Sequence, residues 1–207
     1  MKKKLIILDF DGVLTDSFEC CFSLIKASMK HIGLSLTRGQ YRNFFIENVH
    51  QGFRDFINDE DKYSSFAKFR AENFDKYYNP SLFPGVGEIL KKLNKDYVLA
   101  IASSGKKSVI VNLLKRNKIF NLFDMVLVTA ENTKENMLRE ILQKNKASPC
   151  QTLMITDTIG DLKIAKKNNL RTAALSWGFH SEKLLKQAKP DYLAKSLKML
   201  YKDLTDF

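Results

Sequence analysis

The sequence predicts an α/β fold: a doubly wound parallel sheet interrupted by an inserted helical domain. Short runs recur that are apolar at successive rather than alternate positions, as in strands buried on both faces. Between them lie stretches with apolar residues three and four apart, so strand and helix alternate, the pattern of a parallel sheet covered on two sides. One region departs from this. Residues 18 to about 82 contain no convincing strand and many helix-compatible segments, which predicts a separate small bundle after the first strand.

Taken in order, the first strand is KLIILDF (4–10). The insert follows, with FECCFSLIKASMKHIG, TRGQYRNFFIENV and YSSFAKFRAENFDKYY as amphipathic segments whose Phe and Tyr residues form the insert's own core. Pro80 and PGVG (84–87) mark the return to the sheet. Strands YVLAIA (97–102), MVLVT (125–129), TLMIT (152–156) and TAAL (172–175) come next, with a weaker one at DYLA. Helical patterns at 84–94, 105–117, 132–146 and 159–169 separate them. The expected boundaries are an α/β core of residues 1–16 and 83–207 and a helical domain of 17–82.

The 207 residues, 44% hydrophobic, suffice for one substantial core and a smaller appended unit. Basic residues outnumber acidic ones 34 to 23, for a net charge of +11. The lysines are scattered along helical stretches (GEILKKLNK, NLLKRNK, KIAKKNN) rather than gathered in a block with interleaved aromatics, so nucleic acid is not an expected partner. Cys20, Cys21 and Cys150 form neither a spaced disulfide framework nor a CxxC metal pattern, and reduced thiols are expected. The opening MKKKLIILDFDG mimics a signal peptide until Asp9 and Asp11 interrupt its apolar run. No other stretch approaches the roughly 20 apolar residues of a membrane helix. A cytoplasmic protein without membrane contact is the expectation.

In open parallel sheets ligands bind beyond the carboxyl ends of the strands. There the chain places Asp9 and Asp11 after the first strand, Ser103 after the second, Lys134 at the helix following the third, and Asp157 and Asp161 after the fourth. Each taken alone would be an ordinary turn residue, helix cap or surface lysine. Together they aim several carboxylates at one place, which at neutral pH demands a cation. Oxygen ligands with incomplete coordination suit Mg²⁺. Ser103 and Lys134 would supply a hydrogen-bond donor and a positive charge for phosphate oxygens.

DFDGVLTDS resembles the first motif of the haloacid dehalogenase superfamily, DxDG[TV][LV]xDS. Ser103 and Lys134 are similar to its second and third motifs, and TDTIGDLKIAKKNNL to its fourth, GDTxxDxxxAxxAG. SWGF in the late LSWGFHS segment is similar to the VTWGY-like stretch of phosphoglycolate-phosphatase-like members. Thr156 stands where the family usually has Gly, Asn168 and Asn169 where it has Ala-Gly, and the proline that often follows the lysine is missing. The resemblance implies a Rossmann-like core with strand order 3-2-1-4-5 and a small helical cap. It also implies an Mg²⁺-dependent phosphatase in which Asp9 is the nucleophile and Asp11 the general acid/base. The metal would be held by Asp9, the Asp11 backbone carbonyl and Asp157, with Asp161 acting through water or from behind. Gly12, Ser104 and Gly105 would border the phosphate. Arg42, His50 and Arg54 are the insert's candidates for reading the leaving group, with solvated helix faces as the competing account. The expected partner is a small phosphorylated metabolite, and the expected assembly a monomer or homodimer. A sugar-phosphate mutase remains open, although FECCF holds no His where that branch typically has one. So does a phosphonate hydrolase using Lys26, Lys30, Lys62 or Lys68. An alternative of another class is a basic nucleic-acid-binding protein that trims polynucleotide end phosphates.

Overall fold

Strand β1 (Lys4–Leu8) organises the sheet. In the computed structural model, which describes residues 3–128, 133–205 and 207, it is followed in chain order by β2 (Tyr97–Ser103), β3 (Met125–Val128), β4 (Thr152–Thr156), β5 (Arg171–Leu175) and β6 (Tyr192–Ala194). The spatial order is 3-2-1-4-5-6, every pairing parallel. Five strands thus take the expected order, and the weak DYLA run becomes the sixth, at an edge. The expected strand 4–10 ends at Leu8, and Thr129 of the expected MVLVT strand lies outside the described residues.

The chain divides into two units, Met1–Thr15 with Leu82–Phe207, and Asp16–Ser81. The two crossings, Thr15–Asp16 and Ser81–Leu82, pair with each other as two-residue strands. They are too short to leave a periodic signature, which is why the insert reads as strand-free. Its helices are α1 (Phe18–His31), α2 (Arg38–Asn43), α3 (Val49–Ile57) and α4 (Glu60–Tyr77). The expected helical segment TRGQYRNFFIENV is broken after Asn43. A reciprocal capping box of Thr37 and Gln40 starts α2, and the Asn48 side chain accepts from the His50 and Gln51 N–H groups to start α3. Buried Phe18, Phe22 and Tyr41 pack in one aromatic cluster, and Phe44, Phe53 and Phe66 in another. The aromatic stripe is therefore this unit's core.

Around the sheet run α5 (Val86–Asp96), α6 (Lys107–Arg116), α7 (Lys134–Asn145), α8 (Ile159–Lys167), the single turn α9 (Glu182–Leu185) and α10 (Leu197–Thr205). The continuous apolar run of β1 now has its reason. Ile6 and Leu8 face a core built with Leu90 of α5, Ile110 and Leu114 of α6 and Leu200 and Leu204 of α10. Leu5 and Ile7 face the opposite core, with Met137, Leu138 and Ile141 of α7 and Ala165 of α8. Each such Leu or Ile buried in full stabilises the fold by about 1.5–3 kcal/mol. At the end of α8, Asn169 adopts φ +58° and Leu170 N–H returns to the Ala165 carbonyl. Asn tolerates this left-handed position, so it replaces the family's glycine without disturbing the helix stop. Many lysines pair one turn away along their helices, as in Lys91–Glu88, Lys144–Glu140 and Lys186–Glu182, the arrangement of solvated faces. Among the described residues no helix is long and apolar enough to cross a membrane.

Candidate active site

The strand order reverses between β1 and β4, so the connections leaving these two strands diverge and open a crevice beyond their carboxyl ends. Asp9 is the first residue past β1. Its N–H donates to the Ile155 carbonyl at 2.9 Å, fastening it to β4. Asp11 lies in the turn that follows, where Phe10 O accepts from Leu14 N–H and Gly12 N–H donates to Thr15 O, each at 2.9 Å. This turn brings the two aspartates to one rim. Ser103 ends β2 and is buried; its Oγ accepts from Gly105 N–H at 3.0 Å. A Cβ on Gly105 would stand 3.3 Å from Ser103 Oγ and 3.4 Å from Asp11 Oδ2, so these three groups are neighbours. Ser104 is exposed beside them.

Lys134 opens α7 behind the Thr133 cap, and its buried ammonium uses three donors on three acceptors. Asp9 Oδ1 and Asp161 Oδ2 each lie at 3.0 Å, and the Ala102 carbonyl at 2.9 Å. Burial alone would lower the lysine's pKa, but Asp161 and Asp9 overcome it and raise the pKa above the ordinary value. Burial raises the Asp9 carboxyl well above the usual carboxylate range; Lys134 opposes this, and Asp161 and Asp157 add to it. Asp9 Oδ1 also accepts from the Phe10 N–H at 2.8 Å.

Asp157 follows β4 directly and is fully buried. Thr158, not Asp157, caps α8, so the carboxylate is left for the crevice. Its Oδ2 accepts from the Phe179 N–H at 2.6 Å, whereas Oδ1 is buried without a hydrogen-bond partner. Burial is the main cause that pushes its pKa up to about 7, with Asp161 and Asp11 adding to it against the Phe179 N–H. Two glycines press on this carboxylate. A Cβ at Gly12, where φ is +73°, would come 2.0 Å from Asp157 Oδ2, and one at Gly178 would come 2.2 Å from it. Gly12 thus serves both a left-handed turn and a close approach. Among the described residues no three His, Cys, Asp or Glu side chains form a metal cage by themselves. An orphaned Asp157 oxygen, mutually destabilised buried carboxylates and oxygen-only donors nevertheless fit a hard divalent cation that completes its shell with a backbone carbonyl and water.

Residues 6–175 match the family described as haloacid dehalogenase-like hydrolase. The chain belongs to this family. A pyrophosphatase PpaX of Oceanobacillus iheyensis is 28% identical over 96% of this chain and 95% of that protein. A phosphoglycolate phosphatase of Aliivibrio fischeri is 24% identical over 95% and 94%. Among solved structures, a predicted phosphatase from Clostridium acetobutylicum superposes with a TM-score of 0.86 at 22% identity, each chain covered in full. A hydrolase from Pseudomonas syringae gives 0.85 at 18% identity over 99% of each chain.

The fold of this haloacid dehalogenase-like hydrolase therefore gathers Asp9, Asp11, Gly12, Ser103, Gly105, Lys134, Asp157 and Asp161 at one rim. Arg42, His50 and Arg54 belong to the other unit. There the Arg42 guanidinium lies 4.0 Å over the Phe18 ring, and Arg54 is held by Glu60 at 2.5 Å and by the Tyr63 ring. His50 is lowered by desolvation first, then by Arg70 and Arg54. Sequence reasoning missed Gly178, Phe179 and His180, although the SWGF similarity marked their segment. It also missed what Thr156 does, since its Oγ1 donates to Asp161 Oδ2 and accepts from the Thr158 N–H, both at 3.3 Å.

Proposed function

We propose that this hydrolase is a magnesium-dependent phosphatase that cleaves a small organic phosphomonoester through a phosphorylated Asp9. The supporting observation is the charge imbalance at the rim: among the described residues there, Asp9, Asp157 and Asp161 stand against the ammonium of Lys134, and Asp157 Oδ1 is buried without a donor. Asp9, the Asp11 backbone carbonyl and Asp157 are assigned as ligands, with Asp161 acting from behind through Lys134. Bound there, Mg²⁺ supplies positive charge that keeps both carboxylates ionised and withdraws charge from phosphate oxygens.

The chain's own groups do the rest. Lys134 and the Phe10 N–H hold Asp9 Oδ1, which leaves the other carboxylate oxygen to attack phosphorus in line. The bond from phosphorus to the leaving oxygen breaks as Asp11 donates a proton to that oxygen. Asp11 then takes a proton from water attacking the phosphorylated Asp9, and inorganic phosphate departs with the carboxylate regenerated. The Ser103 hydroxyl, oriented by Gly105, and the Lys134 ammonium stabilise the transferring oxygens. Substrate selection is assigned to the second unit, with Arg42, His50 and Arg54 as candidates there. Arg54 would have to exchange Glu60 for substrate.

Release of inorganic phosphate from a panel of small phosphomonoesters, phosphoglycolate included, tests the reading, with the anhydride pyrophosphate run beside it as a comparison. Turnover with Mg²⁺ and none with chelator is expected; release that ignores chelator, or no release from any member of the panel, defeats it.

Asp157 gives a second test through stability. Its folded value of about 7 lies above the ordinary 3.8, so the folded chain binds a proton that the unfolded chain gives up. The group's contribution is therefore fully present below about pH 4 and lost as pH rises through about 7, a cost on the order of 4 kcal/mol without metal. In chelator at pH 8, Asp157→Asn is expected to melt above the wild type, with the gap narrowing toward pH 5. Mg²⁺ should raise the wild-type melting temperature at pH 8 and leave the variant's unchanged. A variant that melts below the wild type at pH 8 would refute the assignment.

A further inference from the structure

We infer that His180 is a positioning residue for the metal ligand Asp157, acting through the imidazole Nδ1 as a hydrogen-bond acceptor. The inference rests on the magnesium reading above and assigns work to the loop after β5, which that reading does not use. Three consecutive residues of this loop grip the segment 157–159. Gly178 lies so close that a Cβ would fall 2.5 Å from the Asp157 Cβ and 2.2 Å from its Oδ2. Phe179 N–H donates to Asp157 Oδ2 at 2.6 Å. His180 N–H donates to the Asp157 carbonyl at 3.3 Å, and its ring Nδ1 accepts from Ile159 N–H at 3.0 Å.

The last bond is the unusual one. Ile159 is the first residue of α8, and its N–H is one of the donors that a helix start leaves without an intrahelical partner. Thr158 Oγ1 serves the Asp161 N–H, so the two exposed ends of this turn are divided between a threonine of the turn itself and a histidine 21 residues away. The ring is completely buried, and its bond from the Ile159 N–H turns Nδ1 toward the start of α8. With Nδ1 accepting, the ring proton resides on Nε2. The ring therefore fixes where α8 begins relative to the β5 loop. That spacing in turn sets the distance between Phe179 N–H and the Asp157 carboxylate, and so which oxygen of Asp157 remains to face the cation. Groups standing behind a metal ligand commonly change affinity 10- to 100-fold when removed.

Asn and Gln separate this role from mere filling of space. The Asn amide oxygen can occupy the place of Nδ1, whereas the Gln oxygen reaches the place of Nε2. Titration calorimetry with Mg²⁺ alone and amide hydrogen exchange are the two readouts. His180→Asn is expected to stay within about threefold of the wild-type Mg²⁺ dissociation constant, and His180→Gln to weaken it by about tenfold or more. Exchange at the Ile159 and Phe179 amides should accelerate in His180→Gln, while the amides of β1 and β4 keep their protection. Should Gln prevent folding, His180→Leu takes its place with the same expectation. Equal affinities in all variants, or equal losses in Asn and Gln, would overturn the inference. A wild type that binds no Mg²⁺ would defeat the magnesium reading instead, and the exchange rates would still decide whether the ring holds the turn.

Discussion

Asp9→Asn is expected to cut phosphate release by about 10⁴-fold or more while the protein remains folded. The carboxamide is nearly the same size, and its oxygen can still accept from the Phe10 N–H and the Lys134 ammonium, which hold Asp9 Oδ1 at 2.8 and 3.0 Å. What it lacks is a nucleophilic oxygen anion, so the covalent step is lost and not merely slowed by misplacement. The substitution also removes a carboxyl that burial, Asp161 and Asp157 already push well above its ordinary range. The metal-free variant should therefore melt at or above the wild-type temperature at pH 8, which separates loss of chemistry from loss of fold. Turnover is measured by phosphate release and folding by circular dichroism. Residual activity within about tenfold of the wild type would remove Asp9 from the role of nucleophile.

The parts of this site that were legible in the sequence are those announced by strand ends. Asp9, Ser103 and Asp157 follow apolar runs whose length and two-sided apolarity have one structural solution, a buried parallel strand. Their placement at a shared rim is then a property of the topology. Lys134 was legible through its place after the third strand, but its partners were not. The Ala102 carbonyl and Asp161 come from elements 32 and 27 residues away in sequence and meet it only once β2 and α8 are packed. The SWGF similarity marked the segment of Gly178 and Phe179, but the contacts of Gly178 to His180 were illegible for the same reason. Nothing in FHS marks a ring that serves the helix start after the neighbouring strand, and only packing reveals it. The insert failed differently. Its apolar pattern runs on through Phe44 and Phe45, so periodicity alone continues the helix. The break comes from the cap chemistry of Asn48, a local hydrogen bond that outcompetes the longer helix. Helix α10 was overlooked although Leu197, Leu200 and Leu204 carry helical spacing, because flanking lysines lower the hydropathy of so short a stretch. Arg54 shows the limit of reading charge from spacing. Its pairing with Glu60 depends on the left-handed turn at Asn58 that brings α4 back beside α3.

Lys134→Met should be the most destabilising single change at the rim, because it removes the ammonium that two acidic side chains and a carbonyl share. Met keeps the length and apolar stem, so the loss is electrostatic rather than a cavity. Breaking a buried pair by removing one partner costs about 3–5 kcal/mol, since the remaining charge stays desolvated and unpaired. The cost should depend on pH with a definite sign. Asp9, already raised by burial, loses the ammonium that opposes that rise and moves further up. An acid raised in the folded state contributes stability that is lost as pH climbs from its unfolded value, near 3.8, toward the folded one. In chelator, the gap between variant and wild type should thus be small near pH 4 and widen steadily to pH 8. Phosphate release should fall by about 10²–10³-fold, the usual consequence of removing one charge stabiliser from a transition state. The double variant Lys134→Met with Asp161→Asn isolates the ion pair. Neutralising Asp161 relieves one of the two stranded charges, so the pair should recover part of the stability lost in the single variant at pH 8, a coupling measurable by a double-mutant cycle in urea. If the double variant is no more stable than Lys134→Met alone, the lysine holds this rim together by packing, and the electrostatic account of Asp9 fails with it.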